Sequence, residues 1–421
     1  MARFFYSVIL YLLSPLILLH LWLRGNKAPE YRKRWHERFG FIASNNIKKN
    51  AIIFHCASVG EVVAATPLIK KVQLTYPNSP IIITCNSPTG TEQIKRSFSG
   101  TVEHVYLPLD FPCATRRFIK NLKPKMICIL ETELWPNLIA QSKKQNIPVI
   151  LLNARLSEKS LAGYKKIAPL SQSMMQGITQ LAAHDQNDAA RFIELGLDKH
   201  KVVTTGSIKF DIKISQNISE KVSRIKQQLI QKHPIWIAGS THPGENELLL
   251  KTHQALLKSY PNALLILVPR HPEQFDKVAD LISSANLSFQ RKSSLSDSCT
   301  SQVLLSDTMG ELGILYGAAQ CAFIGGSLIE RGGHNPLEAS AYGIPVITGP
   351  HILNFLHVYP ELLKAQGCLK VDSSEQIITL LQQIFSDESY GENLGRKGAL
   401  FVQKNQGAIK KTIEVIARHL K

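Results

Sequence analysis

Short apolar runs alternate with longer amphipathic stretches from about residue 51 to the end of the chain. Runs of that length are typical of buried parallel strands, and apolar residues at helical spacing fill the stretches between them, notably 61–74 and 89–97. Such alternation predicts a doubly wound parallel sheet with helices on both faces. The strands predicted in the first half are 51–54, 81–84, 126–130, 149–152, 180–183 and 202–204.

The second half repeats the pattern after a polar stretch between residues 211 and 233. Two α/β domains with a cleft between them are expected, because 421 residues exceed one ordinary domain. The strands predicted there are 235–238, 264–268, 303–305, 321–324 and 345–347, followed by helices from about residue 374. The predicted divisions are a membrane anchor 1–25, a first Rossmann-like domain 26–212, a linker 213–232, a second Rossmann-like domain 233–400 and a C-terminal helix 401–421.

An apolar segment precedes the alternating part of the chain. Residues 4–23 are almost wholly apolar, and their number is about what a helix needs to cross a bilayer. Only Arg3 precedes the segment whereas many basic residues follow it, so the rest of the chain is expected on the cytoplasmic side of a membrane. Pro15 leaves open a kinked helix, or one that dips into a single leaflet. The basic and aromatic cluster 31–35 has the composition of a segment at a membrane interface.

Composition narrows the range of partners. The formal net charge of +17 suits nucleic acid, anionic lipid head groups or acidic substrates. Because the basic residues are scattered and no nucleic-acid-binding motif is evident, nucleic acid is not expected as a partner. The seven Cys include no C-x-x-C pair, which indicates free thiols in a reducing compartment.

Polar loops of the second half follow the predicted strands. Because the carboxyl ends of parallel strands meet at one edge of a sheet, these loops predict a ligand site there. Arg270 suits a phosphate or carboxylate, although a salt bridge between loops is the alternative. Gly310 would let a planar base lie against the backbone near Met309. The four loops are 239–242, 269–272, 307–311 and 325–338.

The last of these loops combines glycines with the start of a helix. Gly325 and Gly326 allow a close backbone approach, and Pro336 fits the first turn of a helix, where free amides attract anions. Glu338 is placed to accept hydrogen bonds from a sugar diol. The alternative is a tight turn in which Glu338 only complements the helix dipole.

Acidic residues follow two predicted strands of the first half. Ser58 and Glu61 have the S-x-x-E spacing of a capping box, and Glu61 is either that cap or a general base. Glu131 and Glu133 follow a later strand, and Lys209 lies near the domain junction. With no D-x-D pair and no zinc-type Cys/His spacing, no metal or other cofactor is expected.

The motifs together resemble those of the 3-deoxy-D-manno-octulosonate (Kdo) transferases of lipid A assembly. The matching segments are 24–25, 27–29, 31–35, 58–61, 131–137, 153–157, 206–211, 267–272, 307–312 and 325–338. The resemblance implies a GT-B fold and transfer of Kdo, with inversion, from CMP-Kdo to a lipid A precursor (lipid IVA). It implies a location on the cytoplasmic face of the inner membrane, with anionic lipids nearby.

The resemblance also implies residue roles. Glu61 is similar in position to the family's catalytic base, and Glu131 and Lys209 to residues that support the transition state. The positions similar to the family's CMP-binding segments are Pro269, Arg270, Met309, Gly310, Glu311, Asn335, Pro336, Leu337 and Glu338. Alternatives are a membrane-associated GT-B enzyme that uses a UDP-sugar and a lipid-linked acceptor, a sugar-nucleotide epimerase, and a catalytically silent lipid A-binding scaffold.

Overall fold

The computed structural model describes residues 1–26, 28–42 and 47–420, so Lys27 of the motif 27–29 lies outside the described residues. The chain divides into two compact units, Met1–Asp211 with Gly407–Lys421, and Ile212–Gln406. These bounds differ from the expected ones in two places. The segment 213–232, expected as a linker, contains a helix of the second unit, and the chain returns to the first unit at Gly407 rather than at 401.

Each unit contains a seven-stranded parallel sheet, counted over the described residues. The strands of the first unit are β1 (Ile52–His55), β2 (Ile81–Cys85), β3 (Glu103–Tyr106), β4 (Met126–Leu130), β5 (Val149–Ala154), β6 (Gln180–Ala183) and β7 (Val202–Thr204). Those of the second are β8 (Ile235–Thr241), β9 (Leu264–Pro269), β10 (Phe289–Arg291), β11 (Val303–Leu305), β12 (Cys321–Ile324), β13 (Val346–Thr348) and β14 (Leu369–Lys370).

Helices connect the strands. In the first unit they are α1 (Ala2–Leu12), α2 (Ser14–Arg24), α3 (Trp35–Arg38), α4 (Val59–Thr75), α5 (Pro88–Phe98), α6 (Pro112–Leu122), α7 (Pro136–Lys144), α8 (Glu158–Lys166), α9 (Ala168–Met175) and α10 (Gln186–Glu194). In the second they are α11 (Gln216–Gln228), α12 (Glu245–Leu257), α13 (Phe275–Ser284), α14 (Leu312–Tyr316), α15 (Leu337–Ala341), α16 (Tyr359–Lys364), α17 (Ser374–Ser386) and α18 (Glu388–Lys404). The last helix, α19 (Ala408–Ala417), belongs to the first unit.

Strand order locates the ligand-binding edge of each sheet. The first sheet has the order β3-β2-β1-β4-β5-β6-β7, so the direction of winding reverses between β1 and β4. The second has the order β10-β11-β9-β8-β12-β13-β14, with the reversal between β8 and β12. Ligands of open α/β sheets bind outside the carboxyl ends of the strands at such a reversal. Ligand sites are therefore expected at the loops after β1, β4, β8 and β12.

The core of the first unit explains why α19 belongs to it. Ile52 and Phe54 of β1 are fully buried, and Val415 and Ile416 of α19 pack into the same apolar cluster. Asp211 fixes the start of α19, because its Oδ1 accepts the Gly407 N–H at 2.5 Å. The expected single helix 401–421 is thus two helices, α18 and α19, one in each unit.

Three strands escape prediction from the sequence, namely β3, β10 and β14. Both β10 and β14 lie at edges of the second sheet, and β3 lies at an edge of the first. Edge strands are covered on fewer sides, so their side chains need not be apolar. β10 and the first half of β3 are only partly buried, and β14 is two residues long. A continuous apolar run is therefore not required there.

The N-terminal apolar segment, expected as one helix that Pro15 could kink, forms two helices. Helices α1 and α2 meet at Leu13 with a bend of 52°. The cause is Pro15, which has no N–H to donate to the Tyr11 carbonyl one turn earlier. The Ser14 hydroxyl donates to that carbonyl instead, at 2.7 Å. Among the described residues no single helix is long and apolar enough to cross a membrane. The bent pair of α1 and α2 together has the length and the apolar composition of a membrane span.

One side of α1 is attached to the first unit by polar and aromatic contacts. The Tyr6 hydroxyl donates to Asp110 at 3.1 Å, and the Ser7 hydroxyl contacts the Asn137 side chain. The Tyr11 ring stacks on Phe111 with centroids 4.9 Å apart. Elsewhere on α1 and α2, large apolar side chains are exposed to solvent. We call this set the exposed apolar row: Phe4, Phe5, Ile9, Leu12, Leu16, Leu19, Trp22 and Leu23.

Candidate active site

Glu61 lies in the first turn of α4, directly after β1. The Ser58 hydroxyl oxygen accepts the Glu61 N–H, so the predicted cap is confirmed. In return, Glu61 Oε1 accepts the Ser58 hydroxyl at 2.9 Å, and Oε2 accepts the Ala57 N–H at 2.9 Å. The carboxylate is thus held in one orientation at the edge where the first sheet reverses its winding.

The surroundings of Glu61 make it a stronger base than an ordinary carboxylate. Burial raises the pKa of Glu61 to about 7, against the hydrogen bonds from Ala57 and Ser58, which lower it. The carboxylates of Glu131 and Glu133 raise this pKa further. A base whose pKa lies near neutral pH is suited to general base catalysis. The geometry therefore allows Glu61 to act both as the cap of α4 and as a general base.

Glu131 and Lys209 form an ion pair at the same edge of the first sheet. The Lys209 Nζ donates to Glu131 Oε1 at 3.3 Å, and both side chains are mostly buried. Glu131 follows β4 and has a φ of 56°, in the left-handed region that non-glycine residues rarely adopt. Such a conformation costs about 1–3 kcal/mol and is concentrated at functional sites. The roles of this pair in catalysis stay a prediction.

His55 and Glu133 form a second pair beside Glu61 that sequence reasoning missed. His55 ends β1 and is fully buried, and its Nδ1 is 2.9 Å from the Thr84 hydroxyl. Its Nε2 lies 4.0 Å from Glu133 Oε2. Burial lowers the pKa of His55 to about 4 and raises the pKa of Glu133, so both groups are kept neutral more easily. A histidine inside an otherwise apolar strand was the available signal.

In the second unit, Pro269 ends β9 and Arg270 follows it. Pro269 is buried, whereas Arg270 is exposed, and its backbone N–H donates to the Thr241 carbonyl at 2.9 Å. The buried Pro269 and this backbone bond therefore fix the backbone of Arg270, while its side chain stays exposed. Arg270 also approaches Glu338, since its charge lowers the pKa of that carboxyl.

The predicted base-binding turn lies between β11 and α14. Met309 is 50% exposed, and Gly310 has a φ of 87° with no heavy atom within 4 Å of where a Cβ would stand. Glu311 caps α14 and its carboxylate accepts the Thr308 hydroxyl. The turn is thus rigid at its base and open above Gly310, which suits a flat ligand.

The segment 335–338 follows the glycine loop after β12. Asn335 Oδ1 accepts the Leu337 N–H at 3.1 Å, Pro336 precedes the first residue of α15, and Leu337 is buried. Burial raises the pKa of Glu338 and the Arg270 charge lowers it. Glu338 Oε2 lies 3.6 Å from where a Cβ of Gly313 would stand, so the structure brings this carboxylate beside α14.

Glu245 is a fully buried carboxylate that the sequence analysis did not select. It begins α12, and it accepts the backbone N–H groups of His242 (3.2 Å), Gly326 (2.6 Å), Ser327 (2.9 Å) and Leu328 (3.0 Å). Burial raises the pKa of Glu245 and the four donors lower it. The carboxylate therefore joins the loop after β8 to the loop after β12. An acid three residues after His242 was the only signal.

One cluster in the first unit has the composition of a metal site. The ligand atoms of His184, Asp185 and Asp188 all lie within 4.8 Å of one another. Arg191 is 3.5 Å from Asp188, and the Arg155 charge lowers the pKa of His184. Asp185 caps α10 by accepting the Asp188 N–H, and the Asp188 carboxylate accepts the Leu156 N–H. The carboxylates already interact with positive charge and with backbone N–H groups. These structural roles account for the cluster without a metal ion.

Sequence comparison relates this chain to transferases. A family model described as 3-deoxy-D-manno-octulosonic-acid transferase (kdotransferase) matches residues 33–212. The 3-deoxy-D-manno-octulosonic acid transferase of Haemophilus influenzae is 43% identical over 424 residues, covering 100% of this chain and 99% of the relative. The protein of the same name from Bordetella pertussis is 30% identical over 429 residues, covering 99% of each chain.

A solved structure extends the comparison to the fold. UDP-GlcNAc 2-epimerase from Neisseria meningitidis bound to UDP-GlcNAc aligns with a TM-score of 0.59 at 17% identity, covering 87% of this chain and 100% of that one. Two parallel α/β units of this type, together with the full-length relatives, define a GT-B-type glycosyltransferase. Within that class, the chain belongs to the 3-deoxy-D-manno-octulosonic acid transferase family.

Proposed function

We propose that the protein transfers Kdo, with inversion, from CMP-Kdo to the lipid A precursor lipid IVA during lipopolysaccharide assembly. The observation that carries the proposal is Glu61, a carboxylate with a pKa near 7, oriented at the point where the first sheet reverses its winding. Family membership supports the transferred sugar.

Glu61 acts as the general base in this proposal. One in-line displacement inverts the sugar: Glu61 removes the proton of an acceptor hydroxyl, the hydroxyl oxygen bonds to the anomeric carbon, and the carbon–oxygen bond to phosphate breaks with its electron pair on the leaving phosphate. Lys209 offers a cation for the sugar carboxylate, and Glu131 keeps that cation in position through the 3.3 Å contact.

The second unit supplies the groups that a cytidine monophosphate needs. Arg270 is exposed at the end of β9 and offers a bidentate donor to phosphate. Glu338 is a half-buried acceptor for the ribose hydroxyls, and the open turn at Gly310 offers backbone to a base. Because fixed cations and backbone donors stabilise the departing phosphate, the proposed step needs no metal.

The acceptor and the membrane explain the N-terminal part of the chain. Lipid IVA carries phosphates and acyl chains, which match the net charge of +17 and the exposed apolar row of α1 and α2. Because the other side of α1 is hydrogen-bonded to the first unit, we propose that the pair attaches the protein to the cytoplasmic face of the inner membrane.

The direct test is transfer by the purified protein. CMP-Kdo and tetra-acylated lipid A precursor are incubated with the enzyme in detergent, and the lipid product is weighed by mass spectrometry. The expected result is a mass increase by whole Kdo units, with none when CMP-Kdo is replaced by UDP-sugars. Transfer from a UDP-sugar, or protection against heat by UDP and not by CMP, would support the alternative GT-B enzyme and overturn the proposal.

A further inference from the structure

Two histidines meet at the edge where the second sheet reverses its winding. His242 follows β8 and His334 follows the glycine loop after β12. Their Nε2 atoms are 2.8 Å apart and their rings stack with centroids at 5.1 Å and an interplanar angle of 7°. One ring must donate its Nε2–H to the other, so at most one Nε2 carries the shared proton. We call these two residues the histidine pair.

The histidine pair is held in a preformed arrangement. The His242 N–H donates to the buried Glu245 carboxylate, and the Tyr359 hydroxyl donates to the His334 carbonyl at 2.9 Å. A Cβ on Gly326 would lie only 3.1 Å from His334 Cδ2, so the glycine backbone closes against the ring. The two rings therefore belong to loops that four hydrogen bonds to Glu245 join together.

Two arginines and a third histidine lie around the histidine pair. His271 contacts His242 edge to face at 5.5 Å, and Arg270 and Arg331 complete a group that we call the basic rim. All three members of the rim are exposed. Two acids of this unit are already engaged, since Glu245 accepts four N–H groups and Glu338 lies near Arg270. The site thus presents a concentration of positive charge to solvent, and an anion is the complementary ligand.

The same charges keep the pair neutral in the free protein. Burial and then Arg270 lower the pKa of His334 to about 4, with His242 and His271 adding to the effect. Burial, His271, Arg331 and Arg270 lower the pKa of His242 in that order. An anion placed between the rim and the pair would cancel part of this repulsion, and its charge would favour the imidazolium.

We propose that the histidine pair and the basic rim form a subsite for a phosphate dianion, and that the pair takes up a proton when the phosphate binds. The proposal rests on the proposed function, because it assigns the place of the CMP phosphate. When the bond to the sugar breaks, its electron pair stays on the phosphate oxygen, and the monoanionic diester becomes a dianion. A proton taken from solvent by the pair matches the added charge, which favours departure of CMP.

Nuclear magnetic resonance tests the subsite with inorganic phosphate alone. Histidines are labelled with ¹³C and ¹⁵N, and the signals of the pair are assigned with His242→Gln and His334→Gln. Saturating phosphate should raise the apparent pKa of the pair by about one unit or more, while His253, bonded to Trp236 and Gln302, should not respond. Signals of the pair that ignore phosphate would overturn the proposal.

Calorimetry with CMP tests the proton uptake. Because CMP has its own second pKa near 6, the informative quantity is the difference between the native protein and His334→Gln, measured in two buffers of different ionisation enthalpy. The variant should bind CMP about tenfold more weakly at pH 6, within about twofold at pH 8, and take up correspondingly less proton. Lys277→Gln removes an exposed charge from α13 of the same unit and should match the native protein.

The outcomes separate this inference from the proposed function. Equal affinities of His334→Gln and the native protein at pH 6, in a protein that transfers Kdo normally, would overturn the subsite and leave the transferase intact. If phosphate shifts the signals of the pair in a protein that neither binds CMP nor transfers Kdo, the result would support the subsite and overturn the proposed donor. Cytidine, which lacks phosphate, should leave the signals of the pair unchanged.

Discussion

Glu61 carries two functions in one side chain, and a single substitution separates them. Glu61→Gln keeps the cap, because the amide oxygen can accept the Ala57 N–H while the amide N–H donates to the Ser58 hydroxyl oxygen, and Gln also serves at this position of a capping box. Turnover should nevertheless fall by roughly a hundredfold or more, because the amide cannot take a proton. The measurement is transfer rate alongside CMP affinity, which should be unchanged.

A matched control is Glu158→Gln, which alters an exposed glutamate in the first turn of α8 and should leave turnover intact. Near-normal transfer by Glu61→Gln would show that this residue only caps α4. Glu131 and Glu133, at the end of β4, would then be the next candidates for the base.

The pKa of Glu61 also has a consequence for stability. Burial raises this pKa to about 7, above the value of 4.5 for an unperturbed Glu, so the folded protein binds the proton more tightly than the unfolded chain. Stability should therefore fall as pH rises from about 4.5 through 7, and Glu61→Gln should remove that loss. We expect the variant to be more stable at pH 8 by about 3 kcal/mol at most. Urea denaturation at pH 5 and pH 8 measures it, and an equal effect at both pH values would contradict it.

Arg270 and Glu338 should each contribute to nucleotide binding. Arg270→Ala should weaken CMP binding by about 1.5–3 kcal/mol, the range for a hydrogen bond to a charged group, and Glu338→Gln should weaken it as well. Calorimetric titration is the measurement, with Arg396→Ala on the exposed side of α18 as the control. If both variants bind CMP as tightly as the native protein, the nucleotide binds somewhere other than this part of the second unit.

At the scale of elements, close backbone approach holds the second site together. A Cβ on Gly325 would lie 2.5 Å from the Ser240 carbonyl oxygen, so Gly325→Ala must push the loop after β12 away from the loop after β8. We expect a loss of about 1–3 kcal/mol in unfolding free energy, together with weaker CMP binding. Thermal or urea denaturation measures the first effect and calorimetry the second.

The matched control is Gly163→Ala in α8, where no heavy atom lies within 4 Å of the added Cβ. That change should stabilise the helix by up to about 1 kcal/mol. A Gly325→Ala protein as stable as the native one, with native CMP affinity, would show that the two loops are not rigidly joined.

Element prediction from the sequence succeeded where burial is complete on both faces. The central strands β1, β4, β8 and β12 are buried along their whole length and mostly apolar because helices cover both sides of each sheet. The edge strands β3, β10 and β14 were missed because part of their surface needs no apolar cover. The bend at Leu13 could be anticipated from Pro15, but only the structure places the break and shows Ser14 satisfying the Tyr11 carbonyl.

At the scale of the whole molecule, the exposed apolar row of α1 and α2 should attach the protein to membranes. Replacing Leu16, Leu19 and Leu23 by Gln should release most of the protein from vesicles that contain anionic lipid, while CMP affinity stays unchanged. Sedimentation with vesicles at low and high salt is the measurement. These three positions avoid Tyr6, Ser7 and Tyr11, whose contacts attach α1 to the first unit.

The control replaces Leu74 and Ile230, which are equally apolar and even more exposed but lie elsewhere in the chain. That variant should sediment with vesicles like the native protein. If the row variant also remains fully bound after a high-salt wash, another part of the protein attaches it to the membrane.

The sequence by itself determined the fold class, the strand–loop–helix position of most candidate site residues, and the family. It could do so because buried parallel strands and glycine turns leave few permitted residue types, and because the motifs follow one another in order along nearly the whole chain. Only the tertiary structure decided which of those residues meet. The His242–His334 pair, the bonds from Gly326, Ser327 and Leu328 to Glu245, and the His55–Glu133 pair each join residues distant in sequence. The order of strands in the sheets, which local patterns do not encode, brings them to the same edge.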